Sequence, residues 1–357
     1  MPGGGSDPYV PWVSTDTQGE GGGTMGRAAT TVAGVVLALS MSGPAVVAQA
    51  APVDQAPPVA KVAARVDHVV RIDDRRTALF VFSPAMDKIV QVQILHPDGN
   101  AERPSLYLLD GVSAGSESDY TESTWTQKTD VVDFFADKNV NVVLPVGGTA
   151  SYYTDWERND PVLGTNRWET FLTKELPPIV DGRFHGNGTN AIAGLSMGAQ
   201  GAMTLATRNP DLYRGVAALS GCMDTGRVES QAAVRGTVAS KGGDADNMWG
   251  PSGDPAWPAH DPTVNAETLR GKDIFVSTGN GLAGPYELGA PDAVEKVVVG
   301  GPLEAASNSC TQLFEARLSQ LGIPATFLFR PYGTHSWPYW QDDLHEAWPT
   351  LARALGV

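Results

Sequence analysis

The chain has 357 residues, 42% of them hydrophobic, which is enough to bury a substantial core, and its formal net charge is −15. A balance this acidic excludes the basic surface with which a nucleic-acid binder neutralises phosphates, and it gives no electrostatic help in docking onto anionic lipid. There are two cysteines and six histidines, with no His-Glu-x-x-His pattern and no cysteine–histidine cluster, so no metal ion or other cofactor is expected.

The first fifty residues read as a processing segment. From Met25, Arg27 precedes an apolar stretch that closes on Ala48-Gln49-Ala50, the arrangement of a secretory signal cleaved after Ala50. Ser40, Ser42, Gly43 and Pro44 interrupt the apolar run, so no integral membrane span is expected in the mature protein. Residues 1–24 are rich in Gly and Pro and read as an extended leader or an unused upstream start. Export, to the medium or the cell envelope, is the expected destination. Residues 51–65 read as a flexible lead-in, and 66–357 as one domain.

Segments 66–72, 77–82 and 89–95 read as extended, the first two separated by the charged turn Asp73-Asp74-Arg75-Arg76. They predict an antiparallel entrance to a larger sheet. Six short apolar runs follow, at 106–109, 140–144, 191–193, 216–219, 274–277 and 326–329, most of them separated by enough chain for a crossover helix. Near-continuous apolar runs are the pattern of parallel strands covered on both faces, and strand–loop–helix repetition predicts an α/β sheet. Residues 223–271 form a polar, Gly- and Pro-rich insertion whose Met248-Trp249, Trp257 and His260 are either cap residues over a site or local anchors.

Gly194-Leu195-Ser196-Met197-Gly198 stands between the run at 191–193 and a helix-compatible stretch at 200–208. In an α/β-hydrolase this G-x-S-x-G pattern turns a serine sharply out of the sheet as a nucleophile; the plainer alternative is a helix N-cap. The expected order of serine, acid, histidine selects His335, in the loop after the last strand, as base. It leaves Glu287, Asp292, Glu295 and Glu304 open as the acid. Backbone N–H groups of Met197, after the serine, and Val112, after the first parallel strand, are the expected oxyanion donors. Gly279-Asn280-Gly281-Leu282-Ala283-Gly284 spells a dinucleotide fingerprint, but it lies too late in the chain and Pro285 opposes an immediate helix, so no nucleotide is expected. Cys222 and Cys310 are either a disulfide, which an exported chain keeps, or two separate buried thiols.

Several segments together resemble one family. Leu106-Tyr107-Leu108-Leu109-Asp110-Gly111, Asn141-Val142-Val143-Leu144-Pro145-Val146-Gly147-Gly148, Trp168-Glu169-Thr170-Phe171-Leu172, Gly194-Leu195-Ser196-Met197, Ser277-Thr278-Gly279-Asn280-Gly281 and Gly333-Thr334-His335-Ser336-Trp337-Pro338-Tyr339-Trp340 are similar to the secreted mycolyltransferases of mycolic-acid-bearing actinobacteria. The match runs in the same order over roughly residues 66–345. The resemblance implies an α/β-hydrolase fold and transfer of a mycoloyl chain from trehalose monomycolate, or another mycolate ester, to a second trehalose monomycolate or to cell-wall arabinogalactan. It implies Ser196 as nucleophile, His335 as base and Glu304 as acid, with Glu287 as the rival acid, and the Val112 and Met197 oxyanion hole. Asp110 and Trp337 match trehalose contacts, while Ser113 stands where mycobacterial members have arginine. That substitution replaces a charged fork with a hydroxyl. Two rival readings use the same residues differently: an exported serine carboxylesterase with water as acceptor, and a non-catalytic wall-binding protein on a hydrolase scaffold.

Overall fold

The computed structural model describes residues 62–357. The signal segment expected in residues 1–50 and most of the lead-in at 51–65 lie outside the described residues. Nine strands form one sheet in the order β1-β2-β3-β5-β4-β6-β7-β8-β9. They are β1 Arg65–Arg71, β2 Arg76–Ser83, β3 Lys88–Leu95, β4 Arg103–Leu109, β5 Asn141–Val146, β6 Gly186–Leu195, β7 Tyr213–Leu219, β8 Asp273–Thr278 and β9 Thr326–Phe329. Each overlaps one of the nine extended segments read from sequence. The entrance β1–β2–β3 is antiparallel and joins β5 antiparallel; from β5 to β9 every pairing is parallel.

Why the apolar runs become central strands is visible in their surroundings. All of β4 and β5 is buried, because helices cover both faces. Successive side chains of β4 alternate between the two cores: Tyr107 and Leu109 on one side, Leu106 and Leu108 on the other. The first core is closed by Ala199, Ala202, Met203 and Ala206 of the helix Met197–Arg208, the three alanines letting the helix lie close to the sheet. The second is closed by Trp340, Leu344, Ala347, Leu351 and Leu355 of the C-terminal helix Trp337–Leu355, a stripe at helical spacing. No helix among the described residues is long and apolar enough to cross a membrane.

The insertion between β7 and β8 carries the helices Val228–Ala239, Ala245–Trp249 and Ala256–Ala259. Its aromatic residues are anchors. Trp249 meets Trp257 edge-on at 5.2 Å and stacks on His260 at 5.0 Å. The Trp257 indole donates to Gly250 O at 3.1 Å. Burial, with the Arg208 charge, pushes His260 down to about 4, so it packs as a neutral ring.

Candidate active site

β6 ends at Leu195 and the next helix starts at Met197, leaving Ser196 alone at the turn with φ 53° and ψ −122°. That backbone is unusual for a residue with a Cβ and persists only where its surroundings fix it. Ser196 N donates to Leu219 O at 2.8 Å, at the end of β7. The flanking glycines allow the close approach. A Cβ on Gly194 would lie 2.2 Å from Gly198 O, and one on Gly198 would lie 2.3 Å from Asp110 O. Ser196 occupies the N-cap position, but its side chain makes no capping bond to the helix. Its hydroxyl is instead 2.8 Å from Nε2 of His335.

His335 lies in the loop after β9. The loop is tied down by His335 N donating to Gly300 O at 3.2 Å, Gly333 N to Leu282 O at 2.8 Å and Gly281 N to Gly333 O at 2.9 Å. The glycines at 279 and 281 serve this junction: Cβ atoms there would meet Gly333 O at 2.6 Å and Gly301 O at 2.4 Å. No helix follows the Gly279-Asn280-Gly281 loop directly, so the fingerprint-like pattern is a loop crossing and not a phosphate cradle.

Of the four carboxylates open from sequence, only Glu304 reaches the imidazole, with Oε2 at 2.8 Å from His335 Nδ1. It sits near the start of the helix Gly301–Leu321 with no exposed surface. Its Oε1 accepts from Gly279 N at 2.5 Å, Ser220 Oγ at 2.7 Å and Thr278 Oγ1 at 3.2 Å. Arg330 stands 3.5 Å away and pairs also with buried Asp343. Burial alone would raise the Glu304 carboxyl. The hydrogen bond and charge of His335, with the Gly279 and Ser220 donors, outweigh it and hold Glu304 below the usual carboxylate range. With the carboxylate accepting from Nδ1–H, Nε2 is left to accept the serine proton.

Glu287 has a different task. Its Oε2 accepts from Gly284 N and Tyr339 OH, both at 2.7 Å, and its Oε1 from Thr334 Oγ1 at 2.7 Å. It fastens the 284–287 turn to the histidine loop and does not touch His335, which corrects its reading as rival acid. Asp292 is exposed and paired with Lys296 at 3.0 Å, and Glu295 is exposed.

Met197 opens the helix after Ser196, at its electropositive end. The Gly111–Val112 turn lies against the serine, since a Cβ on Gly111 would be 3.6 Å from Ser196 Cβ. Val112 O accepts from Ala150 N at 3.0 Å, and among the described residues neither the Val112 nor the Met197 N–H donates to another protein group. Trp337 is half-buried, packed edge-on against Trp125 at 5.6 Å and Trp340 at 5.3 Å. Ser113 is partly exposed, and its carbonyl accepts from Thr149 Oγ1 at 3.0 Å.

Asp110, to which the resemblance gives a sugar contact, has a fully buried carboxylate, accepting from Thr124 N at 3.1 Å and Ser123 Oγ at 3.3 Å. It closes the base of the loop that carries Val112. Burial raises it to about 7 despite those donors. The sequence reading also missed Ser220, Thr278 and Arg330. Their positions at the carboxyl ends of β7, β8 and β9 were the available signal, because ligands and catalytic groups gather at those strand ends. Cys222 and Cys310 are joined in a disulfide. Between the Gly279-Asn280-Gly281 loop and the first turn of the helix Gly301–Leu321, Leu282, Leu288, Val294, Val297, Val298, Val299 and Leu303 are all exposed, a shelf of apolar side chains.

A family model described as a putative esterase matches residues 83–351. Diacylglycerol acyltransferase/mycolyltransferase Ag85A of Mycobacterium leprae is 38% identical over 288 residues, covering 78% of this chain and 83% of the relative. The Ag85A protein of Mycobacterium tuberculosis is 36% identical, covering 78% and 81%. The chain belongs to the mycolyltransferase family. Within the solved structures, Mycobacterium tuberculosis MPT51 (FbpC1) superposes with a TM-score of 0.65 at 26% identity, covering 78% of this chain and 97% of that one. An S-formylglutathione hydrolase from Agrobacterium tumefaciens gives 0.57 at 18% identity, covering 78% and 95%, a likeness of fold alone. The architecture of this mycolyltransferase-family chain is the α/β-hydrolase fold.

Proposed function

We propose that the protein is a serine acyltransferase that moves a mycoloyl chain from trehalose monomycolate, or a related mycolate ester, through an acyl-enzyme on Ser196 to a sugar hydroxyl. The acceptor is a second trehalose monomycolate or cell-wall arabinogalactan. The observation that carries this reading is the unbroken chain Ser196 Oγ–His335 Nε2 at 2.8 Å and His335 Nδ1–Glu304 Oε2 at 2.8 Å.

His335 takes the hydroxyl proton as Ser196 attacks the ester carbonyl, and Glu304 stabilises the imidazolium and holds the tautomer. The N–H groups of Val112 and Met197 receive the oxyanion, each such donor contributing about 3–4 kcal/mol to the transition state. His335 then returns the proton to the departing sugar oxygen. The acyl chain lies along the apolar shelf of residues 282–303, which suits a long lipid better than a short acid. In the second step His335 deprotonates the incoming sugar hydroxyl, which attacks the acyl-enzyme and restores Ser196. Transfer outruns hydrolysis only if the acceptor is oriented better than water. Trp337 supplies a ring wall for that sugar and Ser113 a neutral hydroxyl in place of a charged fork. Mycolate esters belong to the cell envelope, which agrees with the export expected from residues 25–50.

Intact-protein mass spectrometry after brief exposure to trehalose monomycolate tests the covalent step. The expected result is one added acyl mass on Ser196, absent from Ser196→Ala protein. Acyl-transfer activity retained in full by Ser196→Ala would overturn the assignment.

A further inference from the structure

The disulfide and the acid share the same two segments. Ser220 and Cys222 lie just after β7, and Glu304, Ser307 and Cys310 lie on the helix Gly301–Leu321. Three ties join these segments: Ser220 Oγ donates to Glu304 at 2.7 Å, Ser307 Oγ donates to Ser220 O at 3.0 Å, and Cys222 is bonded to Cys310. Six residues separate Glu304 from Cys310, about 9 Å along a helix. Ser220 is itself fixed from the other side, with its N–H donating to Ser277 O at 2.8 Å and its φ at 54°.

The same helix has a second load. Its first turn, with the preceding π-turn Lys296–Gly300, bears exposed Val297, Val298, Val299 and Leu303. A lipid chain settling on that shelf therefore presses on the element that carries the acid. One charge-assisted and one neutral hydrogen bond can each be exchanged for bonds to water or ligand, whereas a covalent link is not exchanged with solvent or ligand.

From this arrangement we infer that the Cys222–Cys310 disulfide is a positioning device for the catalytic acid: it pins the Glu304 helix to the β7 loop so that Glu304 stays on His335 while the acyl shelf is occupied. The inference rests on the assignment of Glu304 as the triad acid. The link acts through Glu304, so its loss lowers kcat and leaves KM for the acyl donor nearly unchanged.

The test uses full-length mature protein in three forms: wild type, the Cys222→Ser/Cys310→Ser double variant, and wild type reduced with dithiothreitol and alkylated. Turnover of p-nitrophenyl butyrate and of a long-chain p-nitrophenyl ester is measured well below the thermal midpoint of each form. Displacing a reacting group by about an ångström costs up to roughly a hundredfold, and a partial release of Glu304 is expected to cost about tenfold in kcat, more with the long-chain ester. Introducing Glu304→Gln into the double variant should add no further loss beyond that of Glu304→Gln alone, because both changes disable one group. Wild-type activity reports on the acyl-transfer reading, and the ratios between forms report on the disulfide. Unchanged kcat in the folded double variant, or full additivity with Glu304→Gln, overturns the proposal; so does a loss confined to KM.

Discussion

Glu304 and Glu287 show how environment assigns different work to two buried carboxylates one short stretch apart. Both accept three or more hydrogen bonds, and in both the donors overcome burial to keep the group ionised. Only Glu304 has the imidazole among those donors. Glu304→Gln should therefore lower kcat by roughly a thousandfold, since a neutral amide neither fixes the tautomer nor stabilises the imidazolium. Glu287→Gln instead loosens the junction of the 284–287 turn with Thr334 and Tyr339. It should lower the thermal midpoint while costing less than about tenfold in kcat at low temperature. Steady-state kinetics beside a melting curve for each variant checks this, and a reversed order of the two kcat losses would contradict the assignment.

At the scale of the element, the loop after β4 carries Val112, the proposed oxyanion donor, and buried Asp110 closes its base. The group's ordinary pKa is 3.8 and burial raises it to about 7 in the folded protein. Between those values the unfolded chain has released the proton while the folded chain keeps it, so stability falls as pH rises through that window. Asp110→Asn removes the dependence. Its thermal midpoint relative to wild type should climb between about pH 5 and pH 7, the upper part of that window, and a constant difference would contradict this assignment. The elements themselves were readable in the sequence because each strand is a short apolar run set off by turns. The elbow was readable because Gly194 and Gly198 are required by contacts of under 2.5 Å that a Cβ would make. The acid was not. Between β8 and Glu304 the chain follows no regular period, so spacing alone leaves four carboxylates equivalent. The inward turn of Asp110 was equally hidden, because its partners Ser123 and Thr124 come from the far end of the loop.

The whole molecule combines an acidic balance, with a net charge of −15, and a set of exposed apolar side chains between residues 282 and 303. A net negative charge does not draw the protein to anionic lipid; under the proposed function, apolar burial of an acyl chain at about 25 cal/mol per Å² supplies the affinity instead. The family relationship and the hydrolase fold leave one question at the centre of the account, namely what resolves the acyl-enzyme. Sequence alone did not answer it, since Ser113 in place of arginine leaves the sugar pocket without its charged member. The direct measurement is product analysis after incubation with trehalose monomycolate as the only acyl donor and acceptor. Trehalose dimycolate and free trehalose are expected in equal amounts. Free mycolic acid as the sole acyl product, persisting at high sugar concentration, would contradict acyl transfer.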